Sequence, residues 1–311
     1  MISPAFKYIL IAIVGVVILL FFISFAFRHA SSEEALSAVL IAQTLDDTFE
    51  TFTMSPNLAT EINFNKELEL NIDCNKLSLK NQRQVDLPRV IFSPRTLKGS
   101  KISTFTQEWD APFKITNFYY LTNSRNKVFL VYDSQTNSFV EEINKTIPAE
   151  FRTEMIHFST INQLNNLNNY DNVKLVFFNS NIAPKINKIT RIQIEPKEQG
   201  TVTFLDESRQ ITDTYISKEM LLGAIFSEDS ESYKCTKEKA IEQLGIVADI
   251  YIEKTDLLSK KKTRCNKFDN IIRLLRDLKD QNKLTQITTT LTNLISSNRE
   301  LAGDRECVEV F

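Results

Sequence analysis

The rhythm of apolar and polar positions changes several times along this chain, and each change predicts a different element. From Tyr8 to Phe27 the run YILIAIVGVVILLFFISFAF carries no charge, and Ser24 is its only polar interruption. At about 1.5 Å per residue it reaches roughly 30 Å, the thickness of a hydrocarbon core, so it predicts a membrane-spanning helix. A cleaved secretory signal competes with this reading, because Ser24 and Ala26 could precede a cut, but the apolar run is longer than a signal core. Both readings export the remainder. The flanking charges, Lys7 and Arg28, orient the span only weakly, and the length of the chain beyond it favours a short inside N-terminus and an outside body.

Ser31 to Phe52 continues at helical spacing. Ser31 and Glu34 form a capping-box pair, and Leu36, Val39, Leu40, Leu45, Phe49 and Phe52 fall mainly on one stripe. The stripe packs on the protein's own body or joins neighbouring copies, as the long helix of pilin-like subunits does. No charged leader ending in a cleavage glycine or alanine is present, nor an acidic residue within the apolar run, so a pilin-like filament subunit is kept as an alternative.

Between Asn63 and Lys80 the period falls to two, with Leu68, Leu70 and Ile72 and then Leu77 and Leu79 alternating with polar neighbours, which predicts two strands. Short extended pieces follow at Val90–Phe92, Ile102–Phe105 and Ile115–Leu121, punctuated by Pro88, Pro94 and Gly99. Trp109, the one tryptophan, reads as a core or domain-edge anchor in preference to a ligand-stacking ring. Lys127–Asp133, Thr153–Phe158 and Val173–Phe178 are compact apolar strands separated by helical Ser138–Thr146 and Ile161–Asn168. That β-α-β-α-β order predicts a mainly parallel sheet covered on both faces. Ile189–Ile194 and Thr201–Leu205 around Gly200 read as a hairpin. After Ser217, a plausible helix cap, three helices follow, centred on Ile241–Leu258, Phe268–Leu278 and Leu284–Leu301, and short connections make them an antiparallel bundle.

The fold class expected is therefore α/β, with an N-terminal transmembrane helix, a mixed or parallel-sheet Rossmann-like three-layer domain and a C-terminal antiparallel helical bundle. The boundaries fall at 1–29, 30–62, 63–215 and 216–311. Charged residues at 24% and apolar ones at 42% suit a globular body, and a net charge of −2 argues against a nucleic-acid partner. Six glycines and two histidines leave little material for glycine-rich phosphate loops or histidine metal sites, so no cofactor and no metal are expected.

Ligands of parallel α/β sheets gather beyond the carboxyl ends of strands, which makes Asp133, Ser134 and Thr160 the candidate pocket. No G-x-G-x-x-G or P-loop pattern follows any of these strands, and an Asp ending a strand more often caps a helix than carries catalysis. His157 reads as a packed or edge residue. Lys260, Lys261, Lys262 and Arg264 read as a solvated turn, with anionic lipid or glycan as the sharper alternative. Asn144 with Thr146 forms a glycosylation sequon.

Cys74, Cys235, Cys265 and Cys307 contain no C-x-x-C pair, and an even number on an exported body suggests two disulfides. If Thr236–Ser259 is one unbroken helix, Cys235 and Cys265 stand roughly 35 Å apart, far beyond a disulfide's reach. The chain runs down the second helix and back up the third, which brings Cys307 to Cys265 and leaves Cys74 for Cys235. Gly245 is where that helix could break.

The phrases LPRVIFSPRTLKGSKI, NFYYL after Trp109, GAIFS, YKC and YIEKTDLL resemble an uncharacterised archaeal single-pass membrane protein family. The resemblance spans most of the chain and implies an archaeal cell-surface setting and a disulfide role for Cys235, with no activity or catalytic residue attached.

The function expected is a non-enzymatic binding or scaffold component of a cell-surface or secretion assembly. It is anchored in the lipid bilayer through Tyr8–Phe27, with a protein partner or homo-oligomer as its company. The alternatives are the pilin-like subunit and a surface enzyme built on a Rossmann-like domain.

Overall fold

A computed structural model describes residues 18–19, 40–41, 43–51, 57–74, 76–79, 84–164, 167–178, 189–205, 209–262, 264–279 and 284–311. The predicted span Tyr8–Phe27 lies outside these residues except for Ile18 and Leu19. Among the described residues no helix is long and apolar enough to cross a membrane.

Two six-stranded sheets replace the single three-layer domain expected from the sequence. The first has the order β3-β2-β1-β5-β6-β4, from β1 (Ala59–Asp73), β2 (Lys76–Leu79), β3 (Val85–Asp86), β4 (Val90–Phe92), β5 (Thr96–Asp110) and β6 (Lys114–Thr122). It is antiparallel except where β4 runs parallel to β6. The second has the order β12-β11-β10-β9-β7-β8, from β7 (Asn126–Tyr132), β8 (Thr153–His157), β9 (Asn172–Phe177), β10 (Ile189–Ile194), β11 (Gly200–Leu205) and β12 (Gln210–Tyr215). Its β8-β7-β9-β10 part is parallel, and β11 and β12 extend it antiparallel.

The physical reason for the correction lies in β1 and β5, each 15 residues long. Gly99 reads as a break but sits inside β5 at φ +146°, a conformation that suits glycine, opposite Leu68 where the β1 register shifts.

The central strands of both sheets bury both faces, because successive side chains point oppositely and a cluster covers each side. On β6, Phe118 and Tyr120 enter a central core while Tyr119 and Leu121 enter a second one with Leu45 and Phe49 of the helical segment 43–51. That segment packs on the body: Leu45 and Phe49 are fully buried, the Tyr119 hydroxyl donates to the Phe49 carbonyl, and Arg89 pairs with Asp46 at 3.0 Å. On β9, Val176 enters the central core while Val173, Leu175 and Phe177 enter a third cluster closed by Ile161. Short 3-10 turns, Phe158–Gln163 and Leu167–Asn169, stand where a helix over Ile161–Asn168 is expected.

Five helices complete the described fold: α1 (Asn137–Thr146), α2 (Lys218–Phe226), α3 (Ser230–Lys261), α4 (Phe268–Lys279) and α5 (Leu284–Ala302). The Ser217 hydroxyl caps α2 by accepting from the Met220 N–H at 3.2 Å. Every residue from Met220 to Phe226 is buried, the mark of a helix enclosed on all sides. It touches β4, β5 and β6 of the first sheet and β12 of the second. Trp109 is fully buried in the same core and stacks on Phe118.

Helix α3 runs 32 residues without a break at Gly245. The Asp229 carboxylate caps it by accepting from Ser232 N–H at 2.8 Å. Lys279 at the end of α4 pairs with Asp249 in mid-α3, and Asn270 near the start of α4 reaches Ser297 near the end of α5, so consecutive helices are antiparallel. The four cysteines form two bonds, Cys74–Cys235 with Cα atoms 5.8 Å apart and Cys265–Cys307 at 5.1 Å. The first ties the β1–β2 turn to the first turns of α3, and the second ties the α3–α4 connection to the C-terminal tail.

Candidate functional site

Two clefts accompany the second sheet. The larger, about 420 Å³, opens beyond the carboxyl ends of β7, β9 and β10. Asp133, Gln135, Thr136, Gln193, Glu195, Thr201 and Thr203 give it a polar lining, and Phe178, Ile194 and Pro196 form its apolar part.

Asp133 is at this cleft, where the strand-end rule puts it, but its carboxylate is committed to the turn that starts α1. Its Oδ1 accepts from the N–H groups of Gln135 at 2.9 Å and Thr136 at 3.0 Å, and from the Thr136 hydroxyl at 3.0 Å. That is an Asx-type turn, a structural use of the side chain. Ser134 is exposed on the same turn. Thr160 lies on the 3-10 turn beyond edge strand β8, where its hydroxyl donates to the His157 carbonyl at 2.8 Å. Thr160 does not line the cleft. His157 is exposed at the end of β8, with its ring nitrogen 2.7 Å from the Ser159 hydroxyl.

Glu195 supplies a second carboxylate on the rim. The Lys197 ammonium, aided by Thr201, holds it below the usual carboxylate range. Behind it, the Tyr215 hydroxyl donates to the carbonyls of Glu195 and Lys197, and burial pushes its pKa up to about 12. Such a lining can hydrogen-bond a polar ligand.

The second cleft, about 390 Å³, lies between the sheets and is bounded by Glu69, Thr96 and Lys98 from the first sheet, Asp171 and Asn172 at the start of β9, and Glu228. Asn172 and Glu228 also border a void of about 30 Å³ behind it, large enough for a water molecule. Lys174 lines that void. It shares a face of β9 with Val176, is 8% exposed, and donates to the Ser227 carbonyl at the C-terminus of α2. A cation is favoured there by the helix dipole and by the orphan carbonyls of the last turn. Burial lowers the Lys174 pKa to about 8, against the opposing pull of Glu228 and Asp229. Nothing in the sequence flags Lys174, a single polar letter in the apolar run NVKLVFF.

The pH consequence has a definite sign. The folded pKa is about 8 and the ordinary value 10.5, so the unfolded chain holds more protons in between and stability rises with pH across that window. The burial penalty is complete below pH 8. Lys174→Met is expected to flatten this rise by about 2–3 kcal/mol between pH 7 and 10. Chemical unfolding of the parent and the variant at both pH values checks it, and parallel pH profiles would show that Lys174 is not the group responsible.

Arg95 is bonded to Glu228 beside the second cleft. Its N–H donates to Glu228 at 2.7 Å, and its guanidinium pairs with Asp229 at 2.9 Å and Glu231 at 3.0 Å. Burial opposes ionisation of Asp229, but the Ser232 N–H and Arg95 outweigh it and hold that carboxyl below its usual range. Among the described residues there is no group of three or more His, Cys, Asp or Glu side chains arranged to hold a metal ion. Asn144, the sequon residue, is half-buried in the last turn of α1 and accepts from the Thr153 hydroxyl at 3.0 Å.

Comparison with protein-family models, with curated proteins and with solved structures returned no match.

Proposed function

We propose that the chain is a non-enzymatic binding or scaffold component of a cell-surface or secretion assembly. The apolar segment Tyr8–Phe27 holds it in a bilayer, and the body lies outside the cytoplasm. The observation that carries this reading is the cysteine arrangement, in which all four sulfurs are used in two bonds between segments 161 and 42 residues apart. Bonds of this kind form and persist in oxidising compartments and are rare where thiols are kept reduced. The polar cleft of Asp133 and the outer face of α3 are the surfaces such a body offers. The commitment of the Asp133 carboxylate to its own turn favours binding over catalysis there.

Protease shaving of intact cells, followed by non-reducing peptide mapping, tests the compartment. The expected result is release of body peptides still linked Cys74 to Cys235 and Cys265 to Cys307. Protection of the whole body, with four free thiols, would overturn the reading. Affinity purification from detergent extracts tests the role, and a co-purifying protein is expected. Recovery of the protein alone, with a small molecule in the Asp133 cleft, would replace scaffold by ligand binding or catalysis.

A further inference from the structure

The inner face of α3 is spent on the core through Tyr233, Thr236, Ala240, Leu244, Ala248 and Thr255. Its opposite face carries Glu242, Ile246, Ile250, Glu253, Leu257 and Lys261, all exposed. Spacings of three and four residues keep them in one row along the helix. Ile246 is 49% exposed, and Ile250 and Leu257 are each 60% exposed. Single exposed apolar residues are ordinary, but three in one row form a seam.

The row is self-complementary when reversed. Turned end for end about a point between Tyr251 and Ile252, it sets Glu242 against Lys261, Ile246 against Leu257 and Ile250 against Glu253. A two-fold axis at that point makes each match occur twice, which is the condition for an isologous contact. We propose that the protein pairs with a second copy of itself through antiparallel α3 helices in this register.

Charge selects this occupant over the others. Parallel alignment would place Glu242 on Glu242, and a lipid surface favours an apolar stripe rimmed by lysine and arginine alone, whereas Glu242 and Glu253 stand in this row beside Lys261. Glu253, set against Ile250, meets no opposite charge across the seam and lowers affinity. The contact spans roughly 28 Å of helix, short of a standard interface, so association is weak in solution and gains from confinement of both copies to one membrane plane. The pairing itself does not depend on the compartment in which the body resides.

Sedimentation of the full-length protein in detergent micelles, over a range of concentrations, tests the proposal. A reversible monomer–dimer equilibrium is expected, weakened about ten-fold by Glu242→Lys and by Lys261→Glu singly, and restored in the double variant, where the two charges are exchanged. All four side chains of the two matched pairs are exposed, and retention of both disulfides verifies the fold. A photo-reactive residue in place of Ile250 should cross-link to α3 of the second copy. A monomer at every concentration, a dimer indifferent to the single swaps or not rescued by the double one, or cross-linking to lipid, to another protein or within the same chain would each overturn it.

Discussion

Replacing Cys74 and Cys235 together by alanine is expected to cost about 4–5 kcal/mol of stability. The bond joins positions 161 residues apart, and in the chain-entropy account the freedom it removes from the unfolded ensemble grows with the logarithm of that separation. The bond also anchors what α3 does beside it. Thr236 donates to the Ile91 carbonyl at 3.2 Å, and the Lys239 ammonium donates to the carbonyls of Leu87 and Arg89, each at 2.9 Å. These hydrogen bonds persist only if the helix end stays on the edge of the first sheet. Removing the Cys265–Cys307 bond, which closes 42 residues, should cost about 1 kcal/mol less. Denaturant unfolding of the parent and the two double-alanine variants measures both, and equal losses would contradict the loop-length ordering.

Gly223→Leu is expected to cost about 3–5 kcal/mol and to leave little folded protein at 37 °C. Even a single Cβ at Gly223 would lie 2.6 Å from Cε1 of Phe92, inside any tolerable contact. The ring has nowhere to go. Phe92 is fully buried against Phe118, Tyr120 and Tyr233. Gly223→Ala is the milder probe, since the clash is partly offset by the roughly 1 kcal/mol by which alanine favours a helix over glycine. Phe92→Leu should recover part of the Gly223→Ala loss by opening space opposite the new methyl group. A double-mutant cycle by thermal unfolding reads that coupling, and additivity would show that α2 does not press on Phe92.

The parallel half of the second sheet is legible in the chain because its strands are short, apolar and separated by local helices, as in Lys127–Asp133 and Val173–Phe178. The first sheet hides for opposite reasons. Its β1 and β5 are long and partly polar, at Asn63–Glu67 and Lys98–Lys101, and Gly99 imitates a boundary, so their pairing leaves no local trace. β12 is missed because Gln210–Tyr215 alternates polar residues on an exposed outer strand. The cysteine partners are legible because the rise of a long helix turns residue number into distance. Asp133 is found at its cleft by the strand-end rule, yet its use in a turn depends on where the N–H groups of Gln135 and Thr136 point. Lys174 escapes notice because a lysine in a strand ordinarily reads as a solvent-facing position, and only the packing of α2 shows it turned inward.

The Cys74–Cys235 bond also fixes how the molecule carries load. All of β2 to β12, together with α1 and α2, lies between the two bonded residues, so tension entering from the N-terminal side crosses directly from the end of β1 into α3. The 161-residue separation, several hundred ångströms of contour at roughly 3.4 Å per residue, is withheld from extension. A pulled molecule would lengthen only through the segments outside its two covalent loops, and the second sheet would carry no tension while it did so.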